Sequence, residues 1–166
     1  KKNELTKSNN KNKKDIYPLI ETSKEKTEKK NPFRDKYFWR SAWTYNENLE
    51  NYGNLGVKGG IEKSLHLMNK LYSLCEKNNI KLSIAVYPWP AQILYDDVNS
   101  IQVGIWKKYC KNKCYRFINN FETFYSILGD KDPDSFIDEF YNVGDAHFNK
   151  KGHKIIAKKF IEVFEY

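Results

Sequence analysis

Near its C-terminal end the chain reads Gly144-Asp145-Ala146-His147-Phe148-Asn149-Lys150-Lys151-Gly152-His153, which sets a carboxylate two residues before an imidazole, at the entrance to an apolar-periodic segment over residues 154–164. The unperturbed pKa of a histidine lies near neutrality, so one ring can accept a proton and later return it. To do so it must be held in one tautomer. An aspartate two positions upstream, in an extended or turn segment, reaches the ring nitrogen that faces away from a substrate, fixing the ring and stabilising the imidazolium. Asp145 and His147 have that spacing and are the candidate catalytic pair. The plain alternative for the same residues is a surface loop with a capping aspartate.

The pair needs a frame. Asn149 is a good helix N-cap, and Ile155, Ile156, Phe160, Ile161 and Phe164 recur at spacings that predict a terminal helix with one buried face. Upstream, Ile61, Leu65, Met68, Leu71, Tyr72 and Cys75 predict a helix over residues 61–78, stopped by Asn78-Asn79, with His66 off the stripe as a solvated residue. The near-continuous apolar run from Ile80 to Tyr87 predicts a strand buried on both faces of a parallel sheet, ended by Pro88-Trp89-Pro90. A helix over residues 100–110 and a short strand over residues 114–118 complete a strand-helix-strand unit with a right-handed crossover. Ligands of open parallel sheets bind beyond the carboxyl ends of the strands. Pro88 and Trp89 are therefore candidate substrate-lining residues, with a structural turn as the alternative.

Asp145-x-His147-(aromatic)-Asn149-x-x-Gly152-His153, followed by an amphipathic helix, resembles the last catalytic block of the SGNH/GDSL hydrolase superfamily, in the Asp-x-His form of its acyltransferase-like branches. Ile80 through Pro90 resembles the late parallel strand and Pro-containing loop of the same family, and the likeness spans residues 55–166. It implies an α/β, three-layer sandwich with a mostly parallel sheet flanked by helices, SGNH- or flavodoxin-like, whose N-terminal part is missing. It also implies acyl transfer on a small-molecule or carbohydrate ester: His147 would deprotonate a serine and then protonate the leaving alcohol, while Asp145 orients His147. Water as second acceptor makes an esterase, a sugar hydroxyl an O-acyltransferase. No cofactor and no metal are required.

The family's nucleophile block, Gly-Asp-Ser, occurs nowhere in the chain: Gly129-Asp130 is followed by Lys131 and Gly144-Asp145 by Ala146. There is no Gly-x-Asn-Asp to supply oxyanion donors either. The chain begins at Lys1, its one methionine is Met68, and its first thirty or so residues contain no buried-strand pattern. The expectation is a downstream part of a longer hydrolase, with its own missing N-terminal segment as partner and source of the serine. The rival from another class is a non-catalytic SGNH-like module that binds polysaccharide or protein; the third reading is a basic nucleic-acid-binding domain.

The chain's 166 residues suffice for one domain core, and 40% hydrophobic with 16% aromatic residues predict a globular body. The net charge of +8 would by itself point to nucleic acid or anionic membrane. Much of that excess sits in residues 1–31, however, a leader rich in Lys, Asn, Glu, Ser and Thr, expected to be disordered or loosely packed apart from Ile16-Tyr17-Pro18-Leu19-Ile20. Mean hydropathy is −0.80, and the shared excess of Lys, Asn, Ile and Tyr is what AT-rich coding produces, so nucleic acid is discounted as a partner. Residues 32–166 are assigned to the C-terminal part of the α/β domain. No run approaches the eighteen or so apolar residues of a membrane span.

Smaller features complete the reading. Phe33, Tyr37, Phe38, Trp39, Trp43 and Tyr45 are spaced for a short helix with a packed face. Gly53, Gly56, Gly59 and Gly60 read as a flexible loop entering the next helix. Asp130, Asp132 and Asp134 imitate half a calcium loop, but Ser135 and Tyr141 stand where such a loop needs Gly and Glu, which leaves a solvated turn. His153 sits on a different side from His147, so a metal shared with Asp145 is not expected. Cys110 and Cys114 flank a turn that brings their sulfurs within bonding range or leaves two reduced thiols. The compartment is open, with an extracytoplasmic one favoured if they are bonded.

Overall fold

The computed structural model describes residues 40–46 and 53–165; the leader over residues 1–31 and most of the aromatic stretch lie outside the described residues. In chain order the elements are a 3₁₀ turn (Ala42–Thr44), α1 (Gly56–Lys77), β1 (Ser83–Val86), α2 (Pro90–Tyr95), α3 (Ile101–Cys110), β2 (Arg116–Asn119), α4 (Asn120–Leu128), α5 (Pro133–Phe140) and α6 (Lys150–Phe164). The architecture is α/β: helices flank a small two-stranded parallel sheet in which Ser83 pairs with Arg116 and Val86 with Asn119.

The helices begin where short polar side chains can satisfy the first free backbone N–H groups. Ser100 caps α3 by accepting from the Gln102 N–H, and Asn119 caps α4 by accepting from the Phe121 N–H (3.1 Å). Asp132 caps α5 by accepting from the Ser135 N–H (2.8 Å), with Pro133 in the first helical turn. The acidic stretch at Asp130–Asp134 is thus a helix start rather than a free turn.

Three expectations need correction. The glycines from Gly56 to Gly60 lie within α1 rather than in a loop before it. The strand is four residues long, and Ile80, Ala85 and Tyr87 are exposed rather than covered on both faces. The described sheet has two strands, so one edge of β1 has no strand partner among the described residues. In the terminal helix, Ile155 and Ile156 pack against the core while Phe160, Ile161 and Phe164 stay exposed.

Among the described residues the larger of two core clusters gathers around Phe124. Phe124 is fully buried, with ring centroids 4.9 Å from Phe148, 6.1 Å from Phe136 and 6.2 Å from Tyr141. Ile93, Leu128, Ile137 and Phe140 close around them. Cys110 and Cys114 are disulfide-bonded, tying the end of α3 to the turn before β2, and Cys75 on α1 is a half-buried free thiol. Among the described residues no helix is long and apolar enough to cross a membrane.

Candidate active site

The Asp-His pair rides on a hairpin that the aromatic core holds in place. After α5 the chain turns extended, and Tyr141 forms an antiparallel bridge with Phe148. Three backbone bonds close the loop between them: Asn142 N–H to the His147 carbonyl (2.9 Å), Asp145 N–H to the Asn142 carbonyl (3.1 Å) and Asn149 N–H to the Phe140 carbonyl (3.0 Å). Gly144 takes a positive φ of 74°, which an L side chain would resist, and so turns the chain into Asp145. The loop geometry is therefore set by backbone pairing on both sides of the two candidate residues.

Asn149 fastens this hairpin to the last helix. Its side-chain oxygen accepts from the Lys151 and Gly152 N–H groups (2.8 and 3.2 Å) and its amide donates to the Glu139 and Tyr141 carbonyls (2.9 and 3.2 Å). One side chain thus caps α6 and pins it to the end of α5. Gly152 permits the close approach: a Cβ there would lie 2.3 Å from the Phe140 carbonyl oxygen and 2.7 Å from the Phe148 ring. The Lys151–Glu139 ion pair (3.2 Å) spans the same junction on the surface.

Within the loop, His147 Nδ1 lies 2.7 Å from Asp145 Oδ1. That hydrogen bond is the main reason the Asp145 carboxyl is held below the ordinary carboxylate range. An Nδ1–H that donates to the carboxylate leaves Nε2 as the ring nitrogen open to another partner. The His147 side chain is 81% exposed and Asp145 46% exposed, and among the described residues no hydrogen bond reaches Nε2.

The loop after β1 lies against this hairpin. Tyr141 Oη donates to the Pro88 carbonyl (2.9 Å), and the Tyr87 ring meets Phe148 edge-on at 5.3 Å. The base of the hairpin therefore stands beside the carboxyl end of a parallel strand, the end at which open α/β sheets bind ligands. Pro88 is fully buried and presents no surface to a ligand, while Trp89 is half-buried. His153 makes an edge contact with Phe148 at 6.0 Å, and among the described residues no three His, Cys, Asp or Glu side chains converge as a metal site would require.

Three supporting residues escaped the sequence reading. Tyr141 has its phenol pushed well above the ordinary value by burial, which keeps its hydroxyl a donor to Pro88. Asn120, also fully buried, donates to the Val86 carbonyl (3.1 Å) and so links the ends of the two strands. Gln92 accepts from the Trp89 N–H (2.9 Å) and reaches Thr44, Asp96 and Gln102 with its amide nitrogen, fixing the path of the chain out of β1. A polar residue directly after a strand or a Pro-rich turn was the available signal for Asn120 and Gln92. Tyr141 carried none. No protein-family model matches the chain, and neither a curated protein nor a solved structure gives a significant match.

Proposed function

We propose that this chain is the C-terminal part of a three-layer SGNH/GDSL-type domain that transfers acyl groups by a Ser-His-Asp mechanism, with the serine supplied by residues outside it. The observation that carries the reading is the 2.7 Å Nδ1···Oδ1 contact between His147 and Asp145. It is supported by the place of the hairpin base beside the carboxyl end of β1, and by the outer edge of β1, which has no strand partner among the described residues and suits a larger sheet. In the first step the serine oxygen attacks the ester carbonyl carbon as its proton passes to His147 Nε2. The bond to the leaving alkoxide then breaks, and that oxygen takes the proton from Nε2. Water or a sugar hydroxyl repeats the sequence on the acyl-enzyme, its proton again passing through His147. Asp145 stabilises the imidazolium at both stages. The Cys110–Cys114 bond suits an oxidising compartment.

The test is hydrolysis of p-nitrophenyl acetate by the polypeptide that joins this chain to its serine-bearing segment. Removing the general base with His147→Ala is expected to lower kcat about 10²- to 10⁴-fold. Asp145→Asn is expected to lower it less, with KM unchanged for both. An unchanged rate in His147→Ala sinks the acyl-transfer reading and leaves the scaffold as a binding module for polysaccharide or protein.

A further inference from the structure

The end of α6 far from the Asp-His hairpin carries apolar rings rimmed by cations. Phe160, Ile161 and Phe164 are 50%, 49% and 38% exposed, and helical spacing sets them side by side. Phe160 and Phe164 stack at 4.4 Å, and Tyr115, just ahead of β2, continues the row at 6.3 Å from Phe164. Two cations rest on the Tyr115 ring, Lys81 Nζ and the Arg116 guanidinium, each 4.3 Å from its centroid. Arg116 also donates to the Tyr115 carbonyl (3.1 Å), which keeps its charge at this end of the row.

The other flank is basic too. Lys154 and Lys158 lie on the line of α6 that leads to Ile161, with Glu165 as its one acid. Among the described residues neither lysine has an ion-pair partner, whereas Lys151 pairs with Glu139 and Lys159 with Glu162. The apolar row therefore stands between two sets of positive charges.

That charge selects what can cover the rings. A second copy of the chain would bring the same cations to the contact and be repelled. Residues 1–31 hold ten lysines against five acidic residues, so the leader carries the wrong sign as well. Single-stranded nucleic acid has the right sign, but its bases need open ring faces to stack on. Phe160 and Phe164 turn their faces to each other at 25°, and Ile161 beside them has no ring. Ring edges and an aliphatic side chain next to cations suit the boundary between lipid headgroups and acyl chains, where the apolar part sinks in and the cations meet anionic headgroups. We propose that this surface docks on an anionic lipid bilayer, with Phe160, Ile161 and Phe164 inserted at headgroup depth and Lys81, Arg116, Lys154 and Lys158 on the lipid charges. The attachment is peripheral and stands independently of the acyl-transfer reading.

The experiment is cosedimentation of the full chain with vesicles of phosphatidylcholine, alone or mixed with phosphatidylglycerol. Binding to the mixed vesicles alone is expected. Phe160→Ser with Phe164→Ser is expected to weaken it about tenfold or more, because the inserted area is lost while every charge remains. Lys154→Glu with Lys158→Glu is expected to weaken it by about as much, and it leaves the ring packing untouched. Two controls on α1 repeat the same chemistry at exposed positions elsewhere: Leu71→Ser with Leu74→Ser, and Lys63→Glu with Lys70→Glu, should bind close to wild type. The leader is intact in every variant, so its charge cannot produce this pattern. Absent binding, equal binding to phosphatidylcholine alone, full-strength binding by the Lys154 and Lys158 variant or by a folded Phe160 and Phe164 variant, or an equal loss in the α1 controls would each overturn the proposal. So would dimers, or binding of a single-stranded oligonucleotide, that the Phe160 and Phe164 substitutions abolish.

Discussion

The helices α1 and α4 share an amphipathic pattern and differ in what became of it. On α4, Phe121, Phe124 and Leu128 are buried, and Phe124 touches four other aromatic rings. On α1 no residue is buried, and Leu67, Leu71 and Leu74 are 52%, 43% and 59% exposed. A periodic apolar stripe states that a helix has a face; only a partner surface turns that face into stability. The candidate site stands on the α4 side, where rings from α4, α5 and the hairpin interlock beneath the Asp-His loop.

Truncation separates the two regions most strongly. Phe124→Ala removes a fully buried ring that nothing nearby can replace and is expected to cost about 3–5 kcal/mol in urea unfolding. Leu71→Ala on α1 is expected to stay within about 0.5 kcal/mol, because that side chain already meets water. Similar losses at both positions would break the comparison, since they would mean that α1 packs as tightly as α4.

A smaller effect tests the bond between the hairpin and the strand end. Tyr141→Phe keeps the ring and removes the donor to the buried Pro88 carbonyl, for an expected loss of about 1–3 kcal/mol. The same hydroxyl gives an alkaline signature. Its pKa is raised in the folded state by burial, so the folded protein holds a proton that the unfolded chain releases near the ordinary phenol value of about 10. The resulting stability is complete below that value and is lost as pH rises from it toward the raised one. Tyr141→Phe should flatten the fall of stability above about pH 10, measured by urea unfolding at stepped pH. An unchanged slope would place the alkaline sensitivity elsewhere, Tyr125 being the other phenol that burial raises strongly.

What could be read from the sequence was mostly local. The Asn149 cap, the Asp145–His147 spacing and the parallel strand-helix-strand unit each depend on a few neighbouring residues, and each is present in the structure. The cap of α5 was misread because Asp132-Pro133 serves equally as a turn and as a helix start, and the burial of Phe136 and Phe140 decides between them. Exposure of Phe160 and Phe164 was not legible at all. Helical spacing predicts that they share a side of α6, but whether a sheet strand lies over that side is a property of distant chain. The contact of Tyr141 with Pro88 spans 53 residues and carries no spacing rule.

The mildest prediction concerns the Asp-His pair itself. Asp145 titrates below the ordinary carboxylate range chiefly because its oxygen meets His147 Nδ1, so His147→Ala should move the Asp145 titration upward. The measurement is the pH dependence of its carboxyl carbon by NMR. The sign for stability follows from the lowered value: the pair's contribution is present above the ordinary carboxylate range and is lost as pH falls through the lowered one. With both side chains well exposed, solvent screens the interaction, and the difference in unfolding between wild type and His147→Ala should be slight at any pH. That combination distinguishes a pair kept for orientation from one kept for stability. An Asp145 titration that ignores His147→Ala would show that the hairpin backbone, through the Ala146 and His147 N–H groups, sets the carboxylate, and His147 would lose its claim to a fixed tautomer.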